Sequence, residues 1–123
     1  MVFKIGDNDY SAKVLMDTYK VNRIDIYTEW EDANGTTHRS IYRQKVQGEF
    51  EMQISKLSEY NAFISDVQAH KLNGGFVPVK LAINNENTEN CEVYAFIDYT
   101  PIRTMRTNYT KSYLSFTVTI EER

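Results

Sequence analysis

Most of the chain alternates apolar and polar residues with period two, and one stretch breaks that rhythm with a helical repeat. At residues 55–72, Leu57, Tyr60, Phe63, Ile64 and Val67 recur at steps of three and four and Leu72 extends the stripe, while Glu59, Asn61, Ser65, Asp66 and Gln68 fall elsewhere. This spacing predicts an amphipathic helix lying on a sheet. Ser55 or Ser58 is placed to cap its start, and Asn73, Gly74 and Gly75 can close its end in left-handed backbone. An aromatic stripe of this kind is expected to pack a core rather than hold a ligand.

Ahead of the helix, residues 2–5 and 10–14 read as a small hairpin around Gly6-Asp7-Asn8-Asp9, and 15–22 as a connection without clear period. Residues 23–30 and 37–46 flank Asp32-Ala33-Asn34-Gly35-Thr36, the strongest hairpin signal in the chain. A two-residue turn at Asn34-Gly35 would mix Ile24, Ile26 and Trp30 with Arg39, Arg43 and Lys45 on one face. A loop over 33–35 with Gly35 left-handed instead sets Trp30 opposite His38, Thr28 opposite Ser40 and Ile26 opposite Tyr42. Its other face pairs Glu29 with Arg39, Tyr27 with Ile41 and Asp25 with Arg43, all favourable neighbours. That register is the expected one, with the Ile, Trp and Tyr face turned inward or toward a partner and the charged face toward water.

The alternation runs on through Val46, Phe50, Met52 and Ile54, against Gln47, Glu49, Glu51 and Gln53. One strand over 37–54 would span roughly 60 Å, too long for so small a domain, so it must bend or protrude. Gly48 is the natural place for a bulge or a change of sheet, and the half before it for an arm. Beyond the helix, residues 76–83 alternate Val77, Val79, Leu81 and Ile83, with Pro78 arguing for an edge or a strand start. Residues 84–90 read as a polar loop. Residues 91–99 carry apolar side chains on both faces, Tyr94 and Phe96 opposing the rest, and so predict a central strand covered on both sides. A long connection over 100–112 leads to the cleanest alternation, 113–120, with Leu114, Phe116, Val118 and Ile120 inward. The sum is about eight strands and one helix, which predicts a mainly β fold: an antiparallel β-sandwich or partly closed barrel flanked by a helix. A helix-covered open sheet is the alternative.

With 123 residues, of which 41% are hydrophobic and 25% charged, the chain suits a single domain. A net charge of −3 gives no global attraction for phosphate polymers. Cys91 is the only cysteine, so no internal disulfide is expected, and neither a signal peptide nor a membrane-length span is read.

Candidate chemistry is sparse. His38 and His70 sit at a hairpin tip and a helix end without a nucleophile motif. Cys91 falls on the apolar face of a strand, where a thiol is inert. A zinc site from His38, His70 and Cys91 would need three distant segments to converge. Glu49 and Glu51 read as solvated alternation rather than a carboxylate pair. Asp7-Asn8-Asp9 lacks the later glycine and glutamate of a calcium loop, and Gly74-Gly75 follows a helix rather than opening one. No catalytic, cofactor-binding or metal residues are assigned, and the chain is expected not to be an enzyme. Arg103, Arg106 and Lys111, with Tyr99, Tyr109 and Tyr113 around them, are the one constellation suited to nucleic acid. A solvated loop, or one that docks on another subunit, is the preferred reading.

A projecting hairpin, a long loop and free strand edges fit a homo-oligomer that uses its edges rather than blunting them. Asp25, Glu29, Arg39 and Arg43 would orient the arm, Asn34 and Gly35 would turn its tip, and Trp30 and Tyr42 would supply apolar contact. The loop bearing Arg103 and Arg106 would order on assembly.

The hairpin Trp-Glu-Asp-Ala-Asn-Gly-Thr-Thr-His-Arg at 30–39, the strand Gly-Glu-Phe-Glu-Met at 48–52, the single helix and the ending Phe-Thr-Val-Thr-Ile-Glu-Glu at 116–122 together resemble small prophage-encoded tail proteins. Their fold is similar to that of tail-tube and head-tail joining subunits, and the likeness covers most of the chain in order of elements. The resemblance implies a virion protein assembled in the bacterial host cytoplasm. Its partners would be copies of itself, stacked as rings or a tube through a hairpin and long loops, and other virion tail proteins. On that likeness the acidic balance would suit a lumen along which DNA slides without sticking; no cofactor and no membrane contact are expected. A nucleic-acid-binding or carbohydrate-binding β-barrel module is the alternative function.

Overall fold

In a computed structural model, which describes residues 3–84, 91–106 and 112–123, the period-two stretches become one antiparallel sheet. Its strands are β1 (Phe3–Ile5), β2 (Asn8–Asp9), β3 (Lys20–Glu31), β4 (Thr37–Ile54), β5 (Val77–Leu81), β6 (Cys91–Tyr99), β7 (Arg103–Arg106) and β8 (Ser112–Glu122). The helix α1 (Leu57–Leu72) is inserted between β4 and β5. Neighbours run β2-β1-β5-β6-β8-β4-β3, and β7 follows β6 along the same side of β8. Among the described residues the strand ladder does not close. The sheet nonetheless curls until Asn84, just past β5, donates its backbone N–H to Val21 O (2.8 Å) and its side-chain amide to Tyr19 O (3.0 Å). The result is a mainly β fold with one helix that fits a β-sandwich or partial barrel, as the alternation predicts.

Inward residues of every long strand make one core, with Phe3, Phe50, Met52, Leu81, Ile97, Phe116 and Ile120 fully buried. The helix closes over it with two buried residues, Phe63 and Val67. The Phe63 ring meets Tyr10 edge-on at 5.2 Å and Phe116 at 5.3 Å, and Tyr60 meets Phe116 at 4.8 Å. Leu57 and Leu72, placed on the apolar stripe by spacing, are 54% and 87% exposed, because at 3.6 residues per turn they point about 100° and 160° away from the buried Phe63 and Val67. Neither serine caps its start. Lys56 holds the cap position in extended backbone without a side-chain bond, and Glu59 reaches back to accept the Ser55 N–H at 3.3 Å. An acidic side chain in the first turn also suits the helix dipole. The glycine end is as expected: Gly75 takes φ +83° and donates to Lys71 O at 2.9 Å.

Several boundaries move. The second N-terminal strand is only Asn8–Asp9, because Asp9 accepts both the backbone N–H (2.9 Å) and the hydroxyl (2.5 Å) of Ser11 and coils the chain into a 3-10 turn at Ser11–Lys13. A further turn at Met16–Thr18 leads into β3, which begins at Lys20 because Val21 belongs to the core. Gly48 is neither a bulge nor a switch; it pairs in register with Val21 and Ile120. Strand β5 lies between β1 and β6, and Pro78 is tolerated there because β1 pairs only from Val79 onward. Among the described residues no layer covers the outer face of β6, with Tyr94 62% and Phe96 46% exposed. Within 100–112, residues Arg103–Arg106 form a strand on β8 rather than a loop. Residues 85–90 of the polar loop, and 107–111 with Tyr109 and Lys111, lie outside the described residues.

Tyr10 ties this core to the helix, donating its hydroxyl to Asp66 Oδ2 at 2.7 Å. Burial, then the hydrogen bond to Asp66 and its charge, push the Tyr10 phenol well above its ordinary value, and burial does the same to Tyr19. Both phenols therefore ionise more readily in the unfolded chain. Their stabilising share is whole below the ordinary tyrosine value near 10 and is lost as pH rises past it. The expected result is a melting temperature that drops steeply above about pH 10. Tyr10→Phe should flatten part of that drop and cost about 1–2 kcal/mol at neutral pH through the lost bond to Asp66. Thermal melts of both proteins from pH 7 to 11 check this.

Candidate assembly arm

Strand β4 pairs with β8 only from Gln47 onward, so between Thr37 and Val46 the one strand it pairs with among the described residues is β3. The two strands leave the body as a ribbon about 25–30 Å long at the usual rise. From Asp25 to Gln44 all residues are exposed except Ile26 and Asp32, which are half-buried. The long strand thus protrudes instead of bending.

The tip is built as its sequence predicts. Gly35 takes φ +80° and donates to Asp32 O (3.0 Å), while Asp32 N donates to Thr36 O (3.0 Å), the three-residue loop with a left-handed glycine. Asp32 Oδ1 accepts the N–H groups of Asn34 (2.9 Å) and Thr36 (3.0 Å), and Oδ2 lies 2.8 Å from His38 Nε2. The His38 contact first, and these N–H groups next, hold the Asp32 carboxyl below the usual carboxylate range. His38 also stacks on Trp30, ring centroids 5.5 Å apart.

Down from the tip, Trp30 faces His38, Glu29 faces Arg39, Thr28 faces Ser40 and Tyr27 faces Ile41, the expected register. Glu29 and Arg39 approach to 3.4 Å, and the Arg39 guanidinium lies 3.9 Å from the Tyr27 ring centre. Below Tyr27 the register slips by one. Tyr42 is the extra residue, so Ile26 faces Arg43 rather than Tyr42. Asp25 faces Gln44 rather than Arg43, and accepts its amide at 2.8 Å. Arg43 instead donates to the main-chain oxygen of Arg123, and Val46 N donates to Glu122 Oε1 at 3.2 Å, tying the root of the arm to the chain end.

The slip decides which face is which. Val21 is buried, so Tyr27 and Glu29 continue the core side of the sheet, while Ile24, Ile26 and Trp30 lie on its outer side. The Trp30 face does not turn inward. Tyr27 (40%), Trp30 (51%), Ile41 (53%) and Tyr42 (66%) are all exposed. A signal for the bulge exists in the sequence: the expected register, carried to Val21, would pair that inward residue with outward Gln47.

The other candidates do not converge on the arm. Arg103 pairs with Ser115 and Arg106 with Ser112, at the end of β8 beside Gln53 and Ile54, the opposite end of β4 from the tip. Their side chains are not among those described. His70 Nδ1 lies 2.9 Å from Asp66 O on the helix, not on the arm with His38, and the Asp66 carboxylate is occupied by Tyr10 and Asn8. Cys91 is half-buried beside Arg23, whose guanidinium is 3.6 Å from the sulfur. Among the described residues no group of His, Cys, Asp and Glu is arranged to hold a metal, and no helix is long and apolar enough to cross a membrane. Compared with known proteins, the chain matches no family model and no curated protein at a significant level.

Proposed function

We propose that this protein is a non-enzymatic structural subunit that assembles with copies of itself through the β3–β4 arm, in the manner of a phage or prophage tail-tube or tail-associated protein. The observation that carries the reading is the ribbon itself. A two-stranded ribbon is marginal alone in water, and this one leaves Tyr27, Trp30, Ile41 and Tyr42 exposed along its length. Burial of those side chains against a neighbour would contribute about 1.5–3 kcal/mol for each one fully covered. Among the described residues no strand pairs with the outer edges of either of its strands, which offer further bonds to an added strand. The ring or tube form, the virion setting and the neighbouring tail proteins come from the resemblance of the hairpin, strand, helix and ending described above.

Removing the tip residues 33–36 is expected to leave the fold intact and weaken association. Sedimentation velocity across a concentration series, with electron microscopy of any rings or tubes, measures it. Sedimentation unchanged by the deletion would remove the arm from the account, and a wild-type protein that stays monomeric at high concentration would remove the assembly reading altogether.

A further inference from the structure

The outer face of the sheet carries an ordered charge pattern along β4. Taking the residues that point away from the core, Arg43 and Lys45 precede Gln47 by four and two positions, and Glu51 and Glu49 follow it by the same intervals. Gln47 sits at the centre of a shallow groove on this face, lined by Lys20, Asn22, Ile24, Glu49, Thr119 and Glu121 among others. A second depression, reaching Glu51 and Thr117, adjoins it. In the row through Gln47, Glu121 on β8 leads to exposed Phe96 on β6, against which Phe76 packs at 4.5 Å. Among the described residues Tyr94 stays 62% and Phe96 46% exposed, Phe76 covering only part of the latter.

We propose that this face is the seat of a second copy of the same chain, docked face to face with its strands antiparallel. Turning one copy by a half rotation about the Gln47 row sets Arg43 and Lys45 of each against Glu51 and Glu49 of the other, and Phe96 against Phe96. The pattern is its own complement, as a two-fold contact requires. Each arm then runs along the partner's body toward the start of its helix, so the outward Ile24, Ile26 and Trp30 are covered as well. Lys45 already lies 3.5 Å from Glu121, which limits repulsion between the two Glu121 side chains that meet near the axis. The proposal rests on self-assembly as read above and names the surface that receives the arm.

The test is a charge exchange on the full chain. One variant carries Arg43→Glu with Lys45→Glu, making the four charges of the β4 row all acidic; the other carries Glu49→Lys with Glu51→Lys, making them all basic. Each alone is expected to self-associate about 10-fold or more weakly than wild type, and an equimolar mixture is expected to associate again, because cross-pairs restore both sets of contacts. Wild-type association should also weaken as salt is raised. Light scattering with sedimentation velocity reads mass, and circular dichroism confirms folding. If a double variant misfolds, the single changes Lys45→Glu and Glu49→Lys repeat the exchange. Wild-type-like assembly by either variant, or a mixture of folded variants that stays monomeric, overturns this face while leaving the arm's role to the tip deletion. A wild-type protein without self-association overturns both.

Discussion

Replacing Gly48 with alanine is expected to destabilise the protein by about 3 kcal/mol or more, enough to leave a marginal domain largely unfolded. Its backbone is ordinary for a strand, so the reason is space. A β-carbon at this position would stand 2.0 Å from Lys20 O and 2.6 Å from Val21 Cα. Both obstacles are backbone, and no rotamer change relieves them. Relief would require β3 to part from β4 at the root of the arm, where Val21 enters the core. The sign is the informative part. Alanine for glycine in compatible backbone normally stabilises by about 0.4–1 kcal/mol through the unfolded chain, so the local contact must overcome that gain. Urea unfolding of Gly48→Ala beside Gln47→Ala, an exposed neighbour, checks it. A neutral or stabilised Gly48→Ala would mean that the two strands do not approach so closely.

Truncating Phe63 to alanine should cost about 3–5 kcal/mol. The helix reaches the core through two fully enclosed side chains, and Phe63 is the larger. Its ring lies 5.2 Å from Tyr10, 5.3 Å from Phe116, 6.3 Å from Tyr99 and 6.5 Å from Phe3, so one deletion unpacks β1, β6 and β8 together with the helix. Denaturant titration followed in parallel by far-ultraviolet and aromatic circular dichroism separates two outcomes. A single earlier transition indicates loss of the whole fold, and a separate loss of helical signal indicates release of the helix from a surviving sheet. A cost below about 1 kcal/mol would show that Phe63 does not anchor the helix.

These two sites differ in how far the chain announces them. Phe63 falls on a stripe whose three- and four-residue spacing names it as inward before any coordinates are known. Gly48 is marked only as an irregularity, because the reason for glycine lies in Lys20 and Val21, residues remote in sequence that the sheet brings against it. The arm shows the same division. Asp32 and Gly35 specify the tip by local bonding, and Glu29 with Arg39 follow from it. The bulge at Tyr42 answers to a different demand, that Val21 and Val46 both reach the core, and it reassigns Trp30 to the outer side of the sheet.

The amino-acid sequence by itself determined most of the element types: the long period-two runs that make strands, the one helical stripe, the glycine that closes the helix and the loop at the hairpin tip. Each depends on side chains and backbone angles within a few residues of one another. Only the tertiary structure decided the strand order, the exposed outer face of β6, the close passage at Gly48 and the separation of Arg103 and Arg106 from the arm tip. Those features arise where distant segments compete for the same side of one sheet, and the alternation within a strand does not encode which neighbour it will find.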